Sequence, residues 1–195
     1  FQRHDSPAPD SFSKCPVVPR LTGGGAILHD QEVTYSCAMP GNHSVRADPT
    51  RLYEIIHLSI IRLLGELNVQ CSMRGEIPCQ SESERMDQPF LCFLRQDPRD
   101  IVMDGHKITG SAQRRRRGSI LQHGSILLQA SKLTPEIPGI TNLRPNFNEA
   151  EFCRRLPDCL GAAVASTWIL KELTPQDDQL NLSLPPQVGA ENQYI

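Results

Sequence analysis

The sequence has no long apolar run and no excess of one charge. None of its hydrophobic stretches approaches the roughly 18 residues that a membrane helix needs, so no membrane association is expected. Its 20 basic and 22 acidic residues give a formal net charge of −2, so nucleic-acid binding would have to rest on a local patch. No signal peptide and no internal repeat are visible, although the chain starts with Phe1 and not Met. These features are typical of a soluble globular protein.

The cysteines also lack a recognisable pattern. There are seven, an odd number, and no CxxC pair occurs among Cys15, Cys37, Cys71, Cys79, Cys92, Cys153 and Cys159. Such spacing suits neither a disulfide framework nor a zinc site. A reducing, cytoplasmic location is therefore expected, in which each cysteine is a small buried hydrophobe or a reactive thiol.

The pattern of the remaining residues predicts an α+β (α/β) domain over residues 1–175, followed by a polar tail at 176–195. The clearest helix is expected at 48–67, because Asp48 and Pro49 are a good helix start and apolar residues follow at helical spacing. A second helix is expected near 149–173, divided at Pro157 into a short piece and one from about 158 to 173. Strands are expected at 32–39 and 68–73, on both sides of Asp104-Gly105, at 119–128, and as two short pieces within 15–30.

Three consecutive glycines stand in "RLTGGGAILHD" (Arg20–Asp30). The run is neither GxGxxG nor a P-loop, since the Lys-Ser/Thr that a P-loop requires is missing. One interpretation is a tight turn. The other is a backbone that approaches a ligand closely and offers N–H groups to it, with Arg20 beside it as a partner for phosphate or carboxylate.

"GHKITGSAQRRRRGSILQHGSILL" (Gly105–Leu128) is the densest stretch of the chain. Lys107 is followed by the small residues Gly110, Ser111 and Ala112, as a site for an apolar chain would require. Cys92 lies fifteen residues earlier, and a lysine beside a cysteine would favour the thiolate and produce a nucleophile. The alternatives are a solvated lysine and an inert cysteine.

The four arginines Arg114, Arg115, Arg116 and Arg117 lie between two strand-like runs, so they are expected at a hairpin tip. A solvated tip, a phosphate contact and a docking patch for an acidic protein are all consistent with this position. Docking of a protein is favoured over nucleic acid, because no nucleic-acid motif accompanies the run.

Two motifs resemble one known family. "RLTGGGAILHDQEVTYS" (Arg20–Ser36) and "DGHKITGSAQRRRRGSILQHGSILL" (Asp104–Leu128) are similar, in that order, to segments of the lipoate–protein ligase and octanoyltransferase family, which shares its catalytic domain with biotin–protein ligases. The resemblance implies a mixed β-sheet flanked by helices, an acyl tunnel lined by the triple-glycine turn, and a strand and helix upstream of Phe1. It also implies a substrate-binding set made of Arg20, Gly23, Gly24, Gly25, Ala26, Ile27, Leu28, His29, Gly110, Ser111, Ala112, Gln122, His123 and Gly124.

Within that family, Cys92-Phe93 resembles the "CF" pair of a cysteine-dependent octanoyltransferase branch. This implies that Cys92 and Lys107 are catalytic, that no cofactor is needed, and that octanoyl passes from acyl carrier protein to a lysine of a lipoyl domain or glycine-cleavage H protein. Arg114–Arg117 would steer these partners. The alternatives are a lipoate ligase that uses ATP and Mg, and a non-catalytic protein that binds acylated carriers.

Overall fold

The computed structural model describes residues 9–18, 22, 24–76 and 89–172. These residues form a five-stranded sheet with helices packed on one face. In chain order the regular elements are β1 (Glu32–Met39), α1 (Arg51–Glu66), β2 (Ser72–Met73), β3 (Ile101–Met103), β4 (His106–Arg116), β5 (Ser119–Leu127), α2 (Ile140–Leu143) and α3 (Glu149–Val164). The α+β class is confirmed.

The strands lie in the order β1-β5-β4-β3-β2, and each named pair is antiparallel. The centre is the long hairpin of β4 and β5, in which Ser111 faces Gly124 and Ala112 faces His123. The predicted strands of this hairpin are confirmed. Its turn is Arg117-Gly118, both at positive φ (50° and 84°), so Arg114–Arg116 still belong to β4.

The main core lies between the sheet and the two long helices. α1 buries Leu52, Ile56, Ile60 and Leu64 completely, and α3 packs against it through Phe152 and Leu156. The predicted helix at 48–67 is confirmed as α1, Arg51–Glu66. Just before its first turn, Asp48 accepts a hydrogen bond from the amide of Thr50 (3.1 Å). Among the described residues, no helix is long and apolar enough to cross a membrane.

The predicted break of the second helix at Pro157 is wrong. α3 runs through Pro157 without interruption, because the proline ring is exposed and buried apolar residues on the opposite side hold the helix against α1. The helix ends at Val164. Trp168 then folds back over Gly161 and donates to Asp158 (3.0 Å).

The two short strands predicted within 15–30 are also wrong for the described part of that segment. Val17 and Val18 are 63% and 84% exposed and belong to no strand. Only Ala26 pairs, through one isolated parallel bridge to Leu91. Without a buried face to occupy, two valines do not form a strand despite their intrinsic preference.

Candidate functional site

A bulge in β4 determines where Lys107 points. Thr109 pairs with Ile101 while Lys107 pairs with Val102, so Ile108 is an extra residue without a partner. In a regular strand, residues 107 and 110 would face opposite sides of the sheet. The bulge brings Lys107 to the side of Gly110, and a Cβ on Gly110 would lie 2.7 Å from the Lys107 Cε. We call this side, which also carries Ala112 and His123, the site face.

The Lys107 ammonium is buried and contacts three hydrogen-bond acceptors. Its Nζ lies 2.8 Å from Asp100 Oδ1 and donates to the carbonyl oxygens of Cys92 (3.2 Å) and Arg95 (3.3 Å). The Lys107 and Asp100 side chains are only 5% and 4% exposed. An ammonium has three N–H donors, so each of them is used in this arrangement.

Asp100 is positioned by its own turn. Its second oxygen accepts a hydrogen bond from the amide of Asp97 (2.7 Å), and its carbonyl accepts one from the amide of Arg74 (2.8 Å). Burial raises the pKa of the Asp100 carboxyl, and the nearby Lys107 charge opposes this rise. A buried carboxylate with this partner can neutralise the lysine without contact with solvent.

The Cys92 turn, a single 3₁₀ turn at Cys92–Leu94, lies between Lys107 and the glycine run. The Ala26 amide donates to the Phe90 carbonyl (2.9 Å), and the Cys92 amide donates to the Ala26 carbonyl (2.8 Å). Gly25 allows this contact, because a Cβ there would lie 2.7 Å from the Phe90 oxygen and 2.8 Å from the Arg95 guanidinium. The half-buried Cys92 thus belongs to a turn that Ala26 holds on one side and Lys107 on the other.

A small apolar cavity lies beside the same turn. Its volume is about 20 Å³, room for roughly one water and far less than an eight-carbon chain fills. Its apolar walls are Ala26, Leu28, Leu91, Phe93, Leu127 and Ile137. This cavity is therefore too small, as it stands, to be the acyl tunnel that the resemblance implies.

A second polar cluster lies on the opposite face of β4, which packs on α1. Ser111 Oγ lies 2.6 Å from both His57 Nε2 and the Tyr35 hydroxyl. Gln122 donates to the Tyr35 hydroxyl (3.1 Å) and accepts from Gln113 (2.8 Å). Burial lowers the pKa of His57 to about 4 and raises the pKa of Tyr35 to about 12, so both side chains are neutral at pH 7.

The predicted site residues therefore divide between two faces. The side chains of Ser111 and Gln122 face α1, and Gly124 leaves room for them, since a Cβ there would lie 2.5 Å from Ser111 Oγ. On the other side, Ala26 and Lys107 contact the Cys92 turn, Gly25 lies against Phe90 and Arg95, and Gly110 lies against Lys107.

The remaining predicted residues lie around these two groups. His123 contacts Thr22 of the glycine segment (2.5 Å), and the exposed His29 pairs with Glu32. Gly24 is exposed with φ at 109°. Ile27, Leu28 and Ala112 are half-buried, Arg114 is half-buried, and Arg115–Arg117 are exposed. Arg20 and Gly23 lie outside the described residues.

Sequence reasoning missed Asp100 and treated His57 as structural. Asp100 follows the turn residues "QDPR" and precedes an apolar run, where a buried carboxylate is exceptional and calls for a buried cation. The sequence shows an aspartate before an apolar run but not its burial, and the pairing of His57 with Ser111 depends on how α1 crosses the sheet. No group of residues that could hold a metal ion occurs in the part of the chain that the structure describes.

Several known proteins are similar to this chain in sequence or in structure. Octanoyltransferase LipM from Brevibacillus brevis is 40% identical over 114 residues, which are 57% of this chain and 41% of that protein. The chain thus spans about two fifths of the length of the curated relatives it matches.

Two solved structures share the fold. One is lipoate-protein ligase A bound with ATP (TM-score 0.60, 20% identity, covering 85% of this chain and 65% of the other). The second is a bi-partite lipoate protein ligase with its E2 lipoyl domain from Thermoplasma acidophilum (TM-score 0.58, 17% identity, covering 85% and 64%).

The family model that describes the lipoyl protein ligase A/B catalytic domain matches residues 11–142. This range contains the glycine run, the Cys92 turn, Lys107 and the whole β4–β5 hairpin, and it covers more than half of the chain. The chain therefore belongs to the lipoyl protein ligase A/B catalytic domain family.

Proposed function

We propose that this chain is the catalytic domain, over residues 1–175, of an octanoyltransferase that acts in protein lipoylation. The Cys92 thiolate attacks the thioester carbonyl of an octanoyl group on acyl carrier protein, and the carrier thiol leaves. A lysine amine of a lipoyl domain or glycine-cleavage H protein then attacks the Cys92 thioester. An amide forms and the Cys92 thiol is released. The reaction consumes no ATP and takes place in the cytoplasm.

The observation that carries the proposal is the placement of the Cys92 turn. A nearby positive charge favours the thiolate form of a cysteine, which is the nucleophile. The turn is held by Ala26 from the glycine segment (2.8 Å) and by the Lys107 ammonium (3.2 Å), which contacts the Cys92 carbonyl oxygen. The similarity to octanoyltransferases over the aligned residues supports the same reading.

Lys107 has a further consequence for the mechanism. Because its three donors are already used, it can polarise a substrate carbonyl only when one acceptor is exchanged. The two carbonyl contacts are longer than the Asp100 contact and come from the Cys92 turn and from Arg95 directly after it, so a shift of the turn releases one donor. Backbone N–H groups near Gly110–Ala112 provide further stabilisation of the developing oxyanion.

Intact-mass measurement after incubation with octanoyl–acyl carrier protein tests the proposal. The wild-type chain should gain one octanoyl group without ATP, Cys92→Ala should gain none, and the matched Cys153→Ala variant on α3 should behave as wild type. An adduct that persists in Cys92→Ala would reject Cys92 as the nucleophile. Lipoyl transfer that needs ATP and survives the loss of Cys92 would instead favour a lipoate ligase, and carrier binding without turnover would favour a non-catalytic protein.

We further propose that the tip of the β4–β5 hairpin steers acidic partner proteins. Arg115, Arg116 and Arg117 are exposed, and the Arg46 guanidinium lies 3.5 Å from the position of a Cβ on Gly118, so this end of the hairpin is rich in positive charge. Replacement of Arg115–Arg117 by Ser should slow association with the acyl carrier protein at low salt and have little effect at high salt. Equal association rates of both proteins at low salt would contradict the steering role.

A further inference from the structure

The polar cluster beneath β4 forms one directed chain of hydrogen bonds. His57 Nδ1 lies 2.5 Å from the Arg99 carbonyl oxygen, which can only accept, so Nδ1 carries the proton. In the neutral ring Nε2 must then accept, and Ser111 donates to it. The Ser111 oxygen in turn accepts from Tyr35, and the Tyr35 oxygen accepts from Gln122. The Arg99 carbonyl thus determines the tautomer of His57, and through it which hydroxyl group donates in each hydrogen bond of the cluster.

The end of this chain is the turn that carries Asp100. Arg99 is the neighbour of Asp100, and the Asp100 amide closes the turn by donating to the Asp97 carbonyl (3.0 Å). Asp100 contacts Lys107 at 2.8 Å, and Lys107 contacts the Cys92 carbonyl at 3.2 Å. The His57 contact thus links helix α1 to the ion pair on the site face. The Arg99 guanidinium, 4.5 Å above the ring of Tyr53, is a second contact between the same turn and α1.

We propose that His57 is a positioning residue that fixes the Asp97–Asp100 turn, so that Asp100 holds Lys107 against the Cys92 turn. The functional part rests on the proposed acyl transfer. The buried location of His57, which is 1% exposed, gives the contact a rigid base, because α1 itself is anchored by fully buried leucine and isoleucine side chains. Ser111 and Tyr35 serve the same purpose one step further away, because they keep His57 in the tautomer that donates to Arg99.

Two conservative variants separate the ends of the imidazole. In His57→Asn the side-chain amide N–H lies near the former Nδ1 and can still donate to Arg99. In His57→Gln the side-chain amide lies near the former Nε2, so it keeps the hydrogen bond with Ser111 and loses the one with Arg99. His57→Leu loses both hydrogen bonds. The probe is trace acetic anhydride on the substrate-free chain, with the acetylation of Lys107 measured by peptide mass spectrometry relative to the exposed Lys14.

Lys107 should be protected in the wild type and in His57→Asn. Its acetylation should rise about tenfold in His57→Gln and His57→Leu, as expected when a local contact of this strength opens. In the octanoyl-transfer assay the same two variants should lose turnover with little change in KM for octanoyl–acyl carrier protein. If the wild type transfers no octanoyl, the proposed function fails, and the acetylation result still decides whether His57 positions Lys107.

The control is Ile60→Ala, which removes a fully buried side chain from the same helix and none of the hydrogen-bonding groups of the cluster. It should lower the melting temperature and leave Lys107 protected. The proposal is overturned if Ile60→Ala exposes Lys107 as much as His57→Leu does. It is also overturned if His57→Asn and His57→Gln expose Lys107 equally. The comparison of those two variants remains decisive if His57→Leu fails to fold.

Discussion

Breaking the buried ion pair is the sharpest test of the site geometry. In Lys107→Met the Asp100 carboxylate, 4% exposed, loses its 2.8 Å partner and keeps only the hydrogen bond from Asp97. Removing one member of a buried pair costs about 3–5 kcal/mol. For a chain of this size, about 2–4 °C is lost per kcal/mol, so the melting temperature should fall by roughly 6–20 °C.

The same variant should also show a defined pH dependence. Burial raises the pKa of Asp100, and the loss of Lys107 removes the charge that opposes this rise. The folded chain then binds a proton more readily than the unfolded chain. Its free energy of unfolding therefore falls as pH rises through the folded pKa, and the deficit relative to wild type narrows as pH is lowered.

The assay is urea denaturation followed by circular dichroism between pH 4 and pH 8. The matched control is Lys14→Met, which removes an exposed lysine and should change the free energy of unfolding by less than about 0.5 kcal/mol. In Lys107→Met/Asp100→Asn the uncompensated charge disappears, and most of the stability should return. A Lys107→Met variant as stable as Lys14→Met at every pH would refute the buried pair.

Three other substitutions test separate parts of the arrangement. Gly110→Ala should push Lys107 off its three acceptors, because the new Cβ would lie 2.7 Å from the Lys107 Cε. Turnover should then fall at least about tenfold, and the melting temperature should fall as well because the pair with Asp100 is disturbed. Gly124→Ala should cost about 1–3 kcal/mol in thermal denaturation, since its Cβ would lie 2.5 Å from Ser111 Oγ. The control is Gly65→Ala in α1, which has nothing within 4 Å and should stabilise the chain by about 0.5–1 kcal/mol. Burial lowers the pKa of His57 from 6.5 to about 4, so the unfolded chain takes up a proton at higher pH than the folded chain does. The free energy of unfolding should therefore fall by about 3 kcal/mol as the pH is lowered from 6.5 to 4, and His57→Asn should remove this dependence.

The sequence predicted the elements whose signals are local. The helix at α1 has its apolar stripe and its Asp48-Pro49 start within one short segment, and the β4–β5 hairpin has a strand-like run on each side of a Gly-containing turn. In α3 the local signal misled, because Pro157 disfavours a helix by itself while burial of Phe152 and Leu156 against α1 outweighs that preference.

The candidate site was predicted only in part for the same reason. Its motifs named Lys107 and the residues that follow it, and the likeness to a family named Cys92. The partnership of Lys107 with Asp100 depends on a bulge that adds one residue, and residue types do not reveal such an addition. The glycine run illustrates a second limit. Gly25 satisfies a packing requirement against Phe90, whichever ligand its neighbours contact.

The bulge at Ile108 also limits how this site can be transplanted. A lysine three residues before a glycine contacts it on one face only when the strand carries an extra residue, whereas a regular strand needs a spacing of two or four. A designer who copied "KITG" onto a regular strand would send the ammonium into the opposite layer of the protein. A transplanted site therefore needs both the sequence motif and the bulge. Substitution scans keep the chain length constant, so they would not reveal that the bulge is required.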